Sequence, residues 1–197
     1  MLMEAFNRAH KNFPEGGTCL EFGVWTGISY INQAKLIVNR YPYSSLIGFD
    51  SWMGLPDEDK NVWKPDRHAA GNYKANKDVV LKKLEDMNLI NDSRFTLIDG
   101  FFEHSLNTDF QKRIYNLIFV NIDVDLYISC IQILEFIKPL LRSGVILYFD
   151  DWKDPDDKYN GKWGEHLAWE EFIIKYPDIK YRTLVVNELN QRYIEIG

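Results

Sequence analysis

Leu117-Ile118-Phe119-Val120-Asn121-Ile122 runs into Asp123-Val124-Asp125, and Val145-Ile146-Leu147-Tyr148-Phe149 runs into Asp150-Asp151. Unbroken apolar runs without polar alternation are how parallel strands covered by helices on both faces read. Between them, over residues 126–141, the apolar positions Ile131, Leu134, Phe136, Ile137, Leu140 and Leu141 recur at helical spacing, and Ser143-Gly144 closes the segment. The stretch is therefore a β-α-β unit. A right-handed crossover puts both strand ends on the same side of the sheet, and open α/β sheets bind ligands in the crevice there. Three or four carboxylates then share one recessed site. Like charges packed together cost energy unless a proton or cation offsets them, and a divalent metal is the simplest offset.

Working outward, Pro14-Glu15-Gly16-Gly17 ends a short leading helix over residues 2–12. Thr18-Cys19-Leu20-Glu21-Phe22 forms a first strand, and helix-spaced apolar residues follow Gly27. Residues 45–49 make a second strand ending at Asp50, residues 94–98 a third, and residues 74–87 a helix between them. A short helix over residues 105–113 leads into the strand that ends at Asp123. Residues 51–71 and 153–162 are polar, rich in proline and glycine, and read as loops at the functional rim. Residues 163–176 read as a helix. Residues 181–186 and 192–196 read as a closing hairpin with at least one antiparallel strand.

The 197 residues suit one domain, with enough chain to bury a core without disulfides. Cys19 and Cys130 fall within apolar elements and read as buried small hydrophobes. No stretch approaches the ~20 apolar residues of a bilayer span, and residues 1–11 lack a signal peptide's apolar segment. The expected location is cytoplasmic, with no membrane association. A net charge of -6 with scattered lysines argues against nucleic acid, whose phosphates need a concentrated basic face. Trp25, Trp52, Trp63, Trp152 and Trp163 fall in loops, where they either seal loops onto the body or offer flat surfaces to sugar-like ligands.

Glu21-Phe22-Gly23-Val24-Trp25-Thr26-Gly27 places two glycines four apart directly after a strand, suited to close approach of a ligand. The dinucleotide fingerprint has an additional first glycine; a tight strand-to-helix turn explains the same pattern without any ligand. Asp50 at the tip of the second strand is placed to accept hydrogen bonds from ribose hydroxyls, or to cap a turn. Gly23, Gly27 and Asp50 together argue for an adenosine-type cofactor without a pyrophosphate.

In order, Glu21 to Gly27, Phe49-Asp50-Ser51-Trp52-Met53-Gly54-Leu55-Pro56, Gly100-Phe101-Phe102 with Ser105-Leu106, Ile122-Asp123-Val124-Asp125-Leu126-Tyr127-Ile128-Ser129, and the run from Gly144 to Asp151 resemble the macrocin O-methyltransferase family. That family comprises metal-dependent sugar O-methyltransferases that use S-adenosylmethionine. The resemblance spans about residues 18–176 and implies a Rossmann-like class I methyltransferase fold, α/β, with a seven-stranded mostly parallel sheet. It implies Glu21 and Gly23 near the methionine part of the cofactor, Asp50 at the ribose, and Asp99, Gly100 and Phe101 near the adenine, with Gly27 and Ser51 also among the cofactor-binding residues. It implies Asp123, Asp150 and Asp151 as Mg²⁺ ligands, Asp123 doubling as base, and a sugar or glycoside hydroxyl as acceptor. Relatives carry a longer amino-terminal region that covers substrate and pairs subunits. Here the acceptor pocket is left open, or is completed by residues 51–71 or by a partner in a homodimer. Ile28 stands where many relatives have a second glycine, and Val124 replaces the glycine between the two acids, which bears on the loop at the metal.

The residues leave several roles open. Asp125 suits a cap for the helix that follows it, and Asp151 a turn before Trp152. His166 is a candidate base because imidazole titrates near neutrality, against a plain packing or solvated role. His68 and His104 sit in segments that can reach an acceptor. Glu170 and Glu171 fit the polar face of an amphipathic helix. Two rival functions are a nicotinamide-dependent oxidoreductase, which has no need of the acidic cluster, and a non-catalytic methyltransferase-like regulatory or interaction domain.

Overall fold

The computed structural model describes residues 1–152, 163–186 and 191–197, with the side chains of Val185 and Val186 excepted. The second polar excursion, 153–162, and the hairpin tip, 187–190, lie outside the described residues.

The central strand β4 (Leu117–Ile122) is buried at every position, as its unbroken apolar run requires. It pairs in parallel with β1 (Thr18–Phe22) on one side and β5 (Ile146–Phe149) on the other. Beyond β1 lie β2 (Ser45–Asp50) and β3 (Phe95–Asp99), both parallel. Beyond β5 the hairpin β6 (Tyr181–Val186) and β7 (Arg192–Ile196) closes a seven-stranded sheet of order β3-β2-β1-β4-β5-β7-β6. Only β7 runs against the others, pairing antiparallel with both neighbours. The strand order reverses direction at β1 and β4, so the crevice of this doubly wound sheet opens over their carboxyl ends.

Helices α1 (Leu2–Asn12), α2 (Ile28–Arg40), α3 (Lys77–Asp86), α6 (Tyr127–Ile137) and α7 (Gly164–Lys175) clothe the sheet. Phe6 of α1 meets Phe119 of β4 edge-on at 5.2 Å, and Arg8 reaches Glu195 of β7 at 2.9 Å. Each fully buried Leu, Ile or Phe of β4 and β5 contributes about 1.5–3 kcal/mol, so the rim loops hang from the most firmly held part of the chain. Cys19 and Cys130 are free and buried. Among the described residues no helix is long and apolar enough to cross a membrane.

Two expected helices differ. Residues 105–113 are not one helix but follow two single turns, α4 (Phe102–Ser105) and α5 (Thr108–Gln111). Asn107 between them starts the second by accepting the Phe110 N–H at 2.9 Å, and a new cap necessarily ends continuity with the turn before it. Helix α6 stops at Ile137 and tightens into a 3₁₀ turn at Lys138–Leu140, where Pro139 has no N–H to extend the ladder.

A candidate active site at the strand tips

A cavity of about 980 Å³ lies over the ends of β1, β2, β4 and β5. It brings together Gly23, Asp50, Ser51, Gly100, Phe101, Asp123, Asp150 and Asp151 from separate stretches of chain. Glu21, Gly27 and Asp99 stand back from this lining.

Gly23 marks the floor. Its φ of +85° is in the left-handed region, and a Cβ there would fall 1.8 Å from the Asp123 carbonyl oxygen. The neighbouring strand tip therefore requires the glycine whether or not a ligand approaches it, as the tight-turn reading of the motif anticipates. Gly27, at φ +76°, starts α2, and a Cβ there would strike Val80 of α3. Both glycines thus have packing reasons, and only Gly23 also faces the cavity.

Glu21 is fully buried behind this floor. Ser29 Oγ donates to its Oε1 at 2.6 Å, and Gln33 Nε2 donates to its Oε2. Burial pushes its carboxyl up to about 8, outweighing those hydrogen bonds. Asp50 takes the Trp25 N–H on Oδ2 and the Trp52 N–H on Oδ1, both at 2.7 Å. It pins the loops after β1 and β2 to each other, the turn-capping role. Each of its oxygens has capacity to accept a further hydrogen bond, and the residue lines the cavity. Ser51 Oγ accepts the Met53 N–H and donates to the Gly54 carbonyl, and Ser105 Oγ donates to the Gly100 carbonyl at 3.3 Å. Asp99 is occupied by Lys77, at 2.6 Å, and by the Trp52 indole N–H.

On the other half of the rim, ligand oxygens of Asp123, Asp150 and Asp151 all lie within 4.8 Å of one another. Tyr148 Oη and Gln191 Nε2 both donate to Asp150 Oδ1, at 2.6 and 2.7 Å. Burial first, then the charges of Asp151, Asp150 and Asp125, push the Asp123 carboxyl well above the usual range. Burial and the charges of Asp125 and Asp150 do the same to Asp151. Two oxygens on one cation at ~2.1 Å are at most ~4.2 Å apart, and at ~2.4 Å at most ~4.8 Å. Arg67 also lines this cavity and partly offsets Asp151; the donor set itself is all hard oxygen and crowded, and it fits a divalent cation of the Mg²⁺ or Ca²⁺ kind after at most a small contraction.

The expected cap role of Asp125 is not what the structure shows. Asp125 sits at φ +59° and makes no cap hydrogen bond to α6. Glu58, from the 51–71 loop, caps α6 instead by accepting the Tyr127 N–H at 2.7 Å and the Ile128 N–H at 3.0 Å. Asp125 is freed to meet His68 Nε2 at 3.0 Å. His68 is buried, lines the cavity and stacks on Trp163 at 5.3 Å. The loop is thus tied to the acidic rim at two points. His166 lies away from the cavity lining, its ring stacked on Trp152 at 4.5 Å and its Nε2 3.2 Å from Glu170, in the packing role. His104 is exposed beside Glu103. Of the loop tryptophans, Trp52, Trp152 and Trp163 are buried seals, whereas Trp25 is exposed at the cavity mouth, edge-on to Tyr73 at 6.1 Å.

Glu165, in the first turn of α7, was not singled out by its residue type. It is fully buried and bonds the backbone of both acidic loops, accepting the Val124 N–H at 3.0 Å and the Asp151 N–H at 3.1 Å.

A seven-stranded sheet with this order, one reversed strand and a glycine-floored cavity at the switch point define a Rossmann-like class I methyltransferase fold. Solved structures agree on the fold. The calicheamicin methyltransferase CalS11 superposes with a TM-score of 0.73 at 22% identity, over 98% of this chain and 77% of that one. The O-methyltransferase NovP superposes with a TM-score of 0.74 at 20% identity, over 98% and 78%. An O-methyltransferase from Bacillus cereus in complex with SAH gives 0.61 at 16% identity, over 98% and 80%. No curated protein sequence matches. The family model of macrocin O-methyltransferases (TylF) matches residues 2–159. The chain belongs to the macrocin O-methyltransferase family, and it is an S-adenosylmethionine-dependent O-methyltransferase.

Proposed function

We propose that the protein transfers a methyl group from S-adenosylmethionine to a hydroxyl of a sugar or glycoside, assisted by a divalent metal ion, with Mg²⁺ the expected ion. The observation that carries this reading is the meeting of Gly23, Asp50 and Gly100 with Asp123, Asp150 and Asp151 around one cavity. When bound, the cofactor supplies an electrophilic methyl carbon and the cation supplies Lewis acidity toward the acceptor oxygen. Asp50 and Ser51 hold the ribose side, and Gly100 and Phe101 border the adenine side. Asp123, Asp150 and Asp151 hold the cation, and an Asp123 carboxylate oxygen takes the hydroxyl proton as the new bond forms. A sugar acceptor is supported by relatives such as the TDP-rhamnose 3'-O-methyltransferase CalS11, whose apo form shares this fold at 22% identity.

The test is methyl transfer from radiolabelled S-adenosylmethionine to a panel of glycosides and nucleotide sugars, with and without EDTA. The reading expects turnover that chelation abolishes and Mg²⁺ restores. Turnover indifferent to EDTA would remove the metal role, and selective binding of NAD over S-adenosylhomocysteine would overturn the cofactor.

A further inference from the structure

Glu165 has an unusual position for a charged side chain. It is wholly buried, yet both carboxylate oxygens are committed to backbone N–H groups on two different loops. One of these groups belongs to Val124, which follows Asp123; the other belongs to Asp151 itself. The loops leave adjacent parallel strands whose last paired residues are Ile122 and Phe149. The Asp150 N–H still reaches the Ile122 carbonyl at 3.0 Å, and past that bond no backbone hydrogen bond joins the two tips among the described residues. The loop after β4 turns into α6 while the loop after β5 heads toward α7, so a tie is needed where the acids must converge. Glu165 makes that tie with one rigid planar group.

We propose that Glu165 is a positioning residue that sets the affinity of the Asp123–Asp150–Asp151 cluster for a divalent cation, holding the two strand tips at the separation the cation needs. This rests on the metal reading given above. A carboxylate suits the task because both partners are donors and each oxygen accepts one of them, even though burial and the charge of Asp151 push this carboxyl well above the usual range. Glutamine matches its shape but turns an NH₂ toward one of the two N–H groups. Aspartate keeps the charge but is one methylene short of spanning both loops. Glu165 is not among the acids whose oxygens converge, and it acts through the backbone at Val124 and Asp151. Outer groups that orient metal ligands in this way typically set about 10–100-fold in metal affinity.

The experiment uses the full chain and Mn²⁺ as probe, with bound and free ion separated by electron paramagnetic resonance. S-adenosylhomocysteine binding and Tm are measured on the same samples. Wild type is expected to bind one Mn²⁺. Glu165→Gln is expected to raise the Mn²⁺ Kd about 10–100-fold while the S-adenosylhomocysteine Kd stays within about twofold. Glu165→Asp is expected to fall between them, and it carries the same test if the glutamine variant does not accumulate as folded protein. An unchanged Mn²⁺ Kd in these variants overturns the proposal, as does a loss of S-adenosylhomocysteine affinity in proportion to the loss of Mn²⁺, which marks general damage to the rim. A wild-type protein that binds no Mn²⁺ yet transfers methyl groups instead overturns the metal reading itself.

Discussion

The two sides of the cavity handle their carboxylates in opposite ways. At and behind the ends of β1, β2 and β3 each acid has donors matched to it: two backbone N–H groups for Asp50, Ser29 and Gln33 for Glu21, Lys77 and Trp52 for Asp99. Over β4 and β5 the acids face one another, and mutual repulsion adds to burial in pushing Asp123 and Asp151 up. The first half is finished without a ligand, and its charges serve to fix loop geometry. The second stores like-charge repulsion that a cation would relieve. Preorganisation by hydrogen bonds suits recognition of a neutral ribose, and stored repulsion suits capture of an ion.

The sharpest way to break this contrast is Asp123→Asn. If the acidic half serves chemistry, the variant loses at least about a thousandfold in methyl transfer, the several kcal/mol that Lewis-acid and proton-transfer assistance provide. S-adenosylhomocysteine affinity should stay within about twofold of wild type. Removing one of several crowded acids should also leave the Tm of the metal-free protein equal to or above that of wild type, since a site tuned for function is strained for stability. Turnover retained within tenfold would assign both the cation and the base elsewhere.

Glu21 tests whether the finished half is truly relieved of its charge. Its folded-state value of about 8 lies above the ordinary 4.5. Below the ordinary value both folded and unfolded chains hold the proton. Between pH 4.5 and 8 only the folded chain does, so Glu21's contribution to stability is present at the acid end and is lost as pH rises through the folded value. Wild-type Tm should therefore fall across this window more steeply than that of Glu21→Gln, which keeps the shape and cannot ionise. Differential scanning calorimetry at a series of pH values measures the difference; parallel curves for the two proteins would show that Glu21 is ionised throughout.

How far these halves could be read in advance differs for physical reasons. The acidic half was legible because buried parallel strands announce themselves as unbroken apolar runs, and acids directly after them must lie at the strand tips. The meeting of Asp123 with Asp150 and Asp151 follows from that pattern, whereas the seven-stranded sheet is implied by the family resemblance and the reversed strand by the closing hairpin. What reaches the site from a distance was not legible. Glu58 caps α6 across a sequence separation of about 70 residues, and no local signal marks a cap supplied by a remote loop. The same loop buries His68, which residue type and loop position alone leave indistinct from surface histidines. Asp125 looked like the cap because acids before helices usually are. Glu165 did carry a signal. It shares a helical stripe with Ala168, Trp169 and Phe172, all buried, and an acid on an apolar stripe is either paired or functional. The glycines supported two readings, and their spacing meets the packing demands of the Asp123 backbone and Val80.

Asp50→Asn asks whether hydrogen-bond matching is what prepares the cofactor half. The amide keeps one acceptor oxygen and opposes an NH₂ to the second of the Trp25 and Trp52 N–H groups. Leaving one N–H without its acceptor costs about 1–3 kcal/mol, expected as an approximately tenfold rise in the cofactor KM. The kcat at saturating cofactor should change less than about threefold, because the acidic half is untouched. Isothermal titration with S-adenosylhomocysteine and initial rates separate the two; a fall in kcat with KM unchanged would place Asp50 in the chemistry rather than in cofactor binding.

Glu58→Ala probes the tie between the 51–71 loop and the acidic half, and the smallest effect is expected here. Capping α6 satisfies the Tyr127 and Ile128 N–H groups, and losing such a cap typically costs about 1 kcal/mol, or about 2–4 °C in Tm for a chain of this size. The helix itself should persist, because its buried face of Cys130, Ile133, Leu134 and Ile137 is independent of the cap. The informative quantity is how the loss divides between the two halves. The loop also presents His68 to Asp125, so freeing its Glu58 end should raise amide exchange over residues 56–70 and at 127 and 128, while the amides of Trp25 and Trp52, which are held by Asp50, stay protected. Faster exchange at Trp25 and Trp52 as well would mean that the rim opens as one unit, and the division into a finished half and a strained half would then describe charge alone and not mobility.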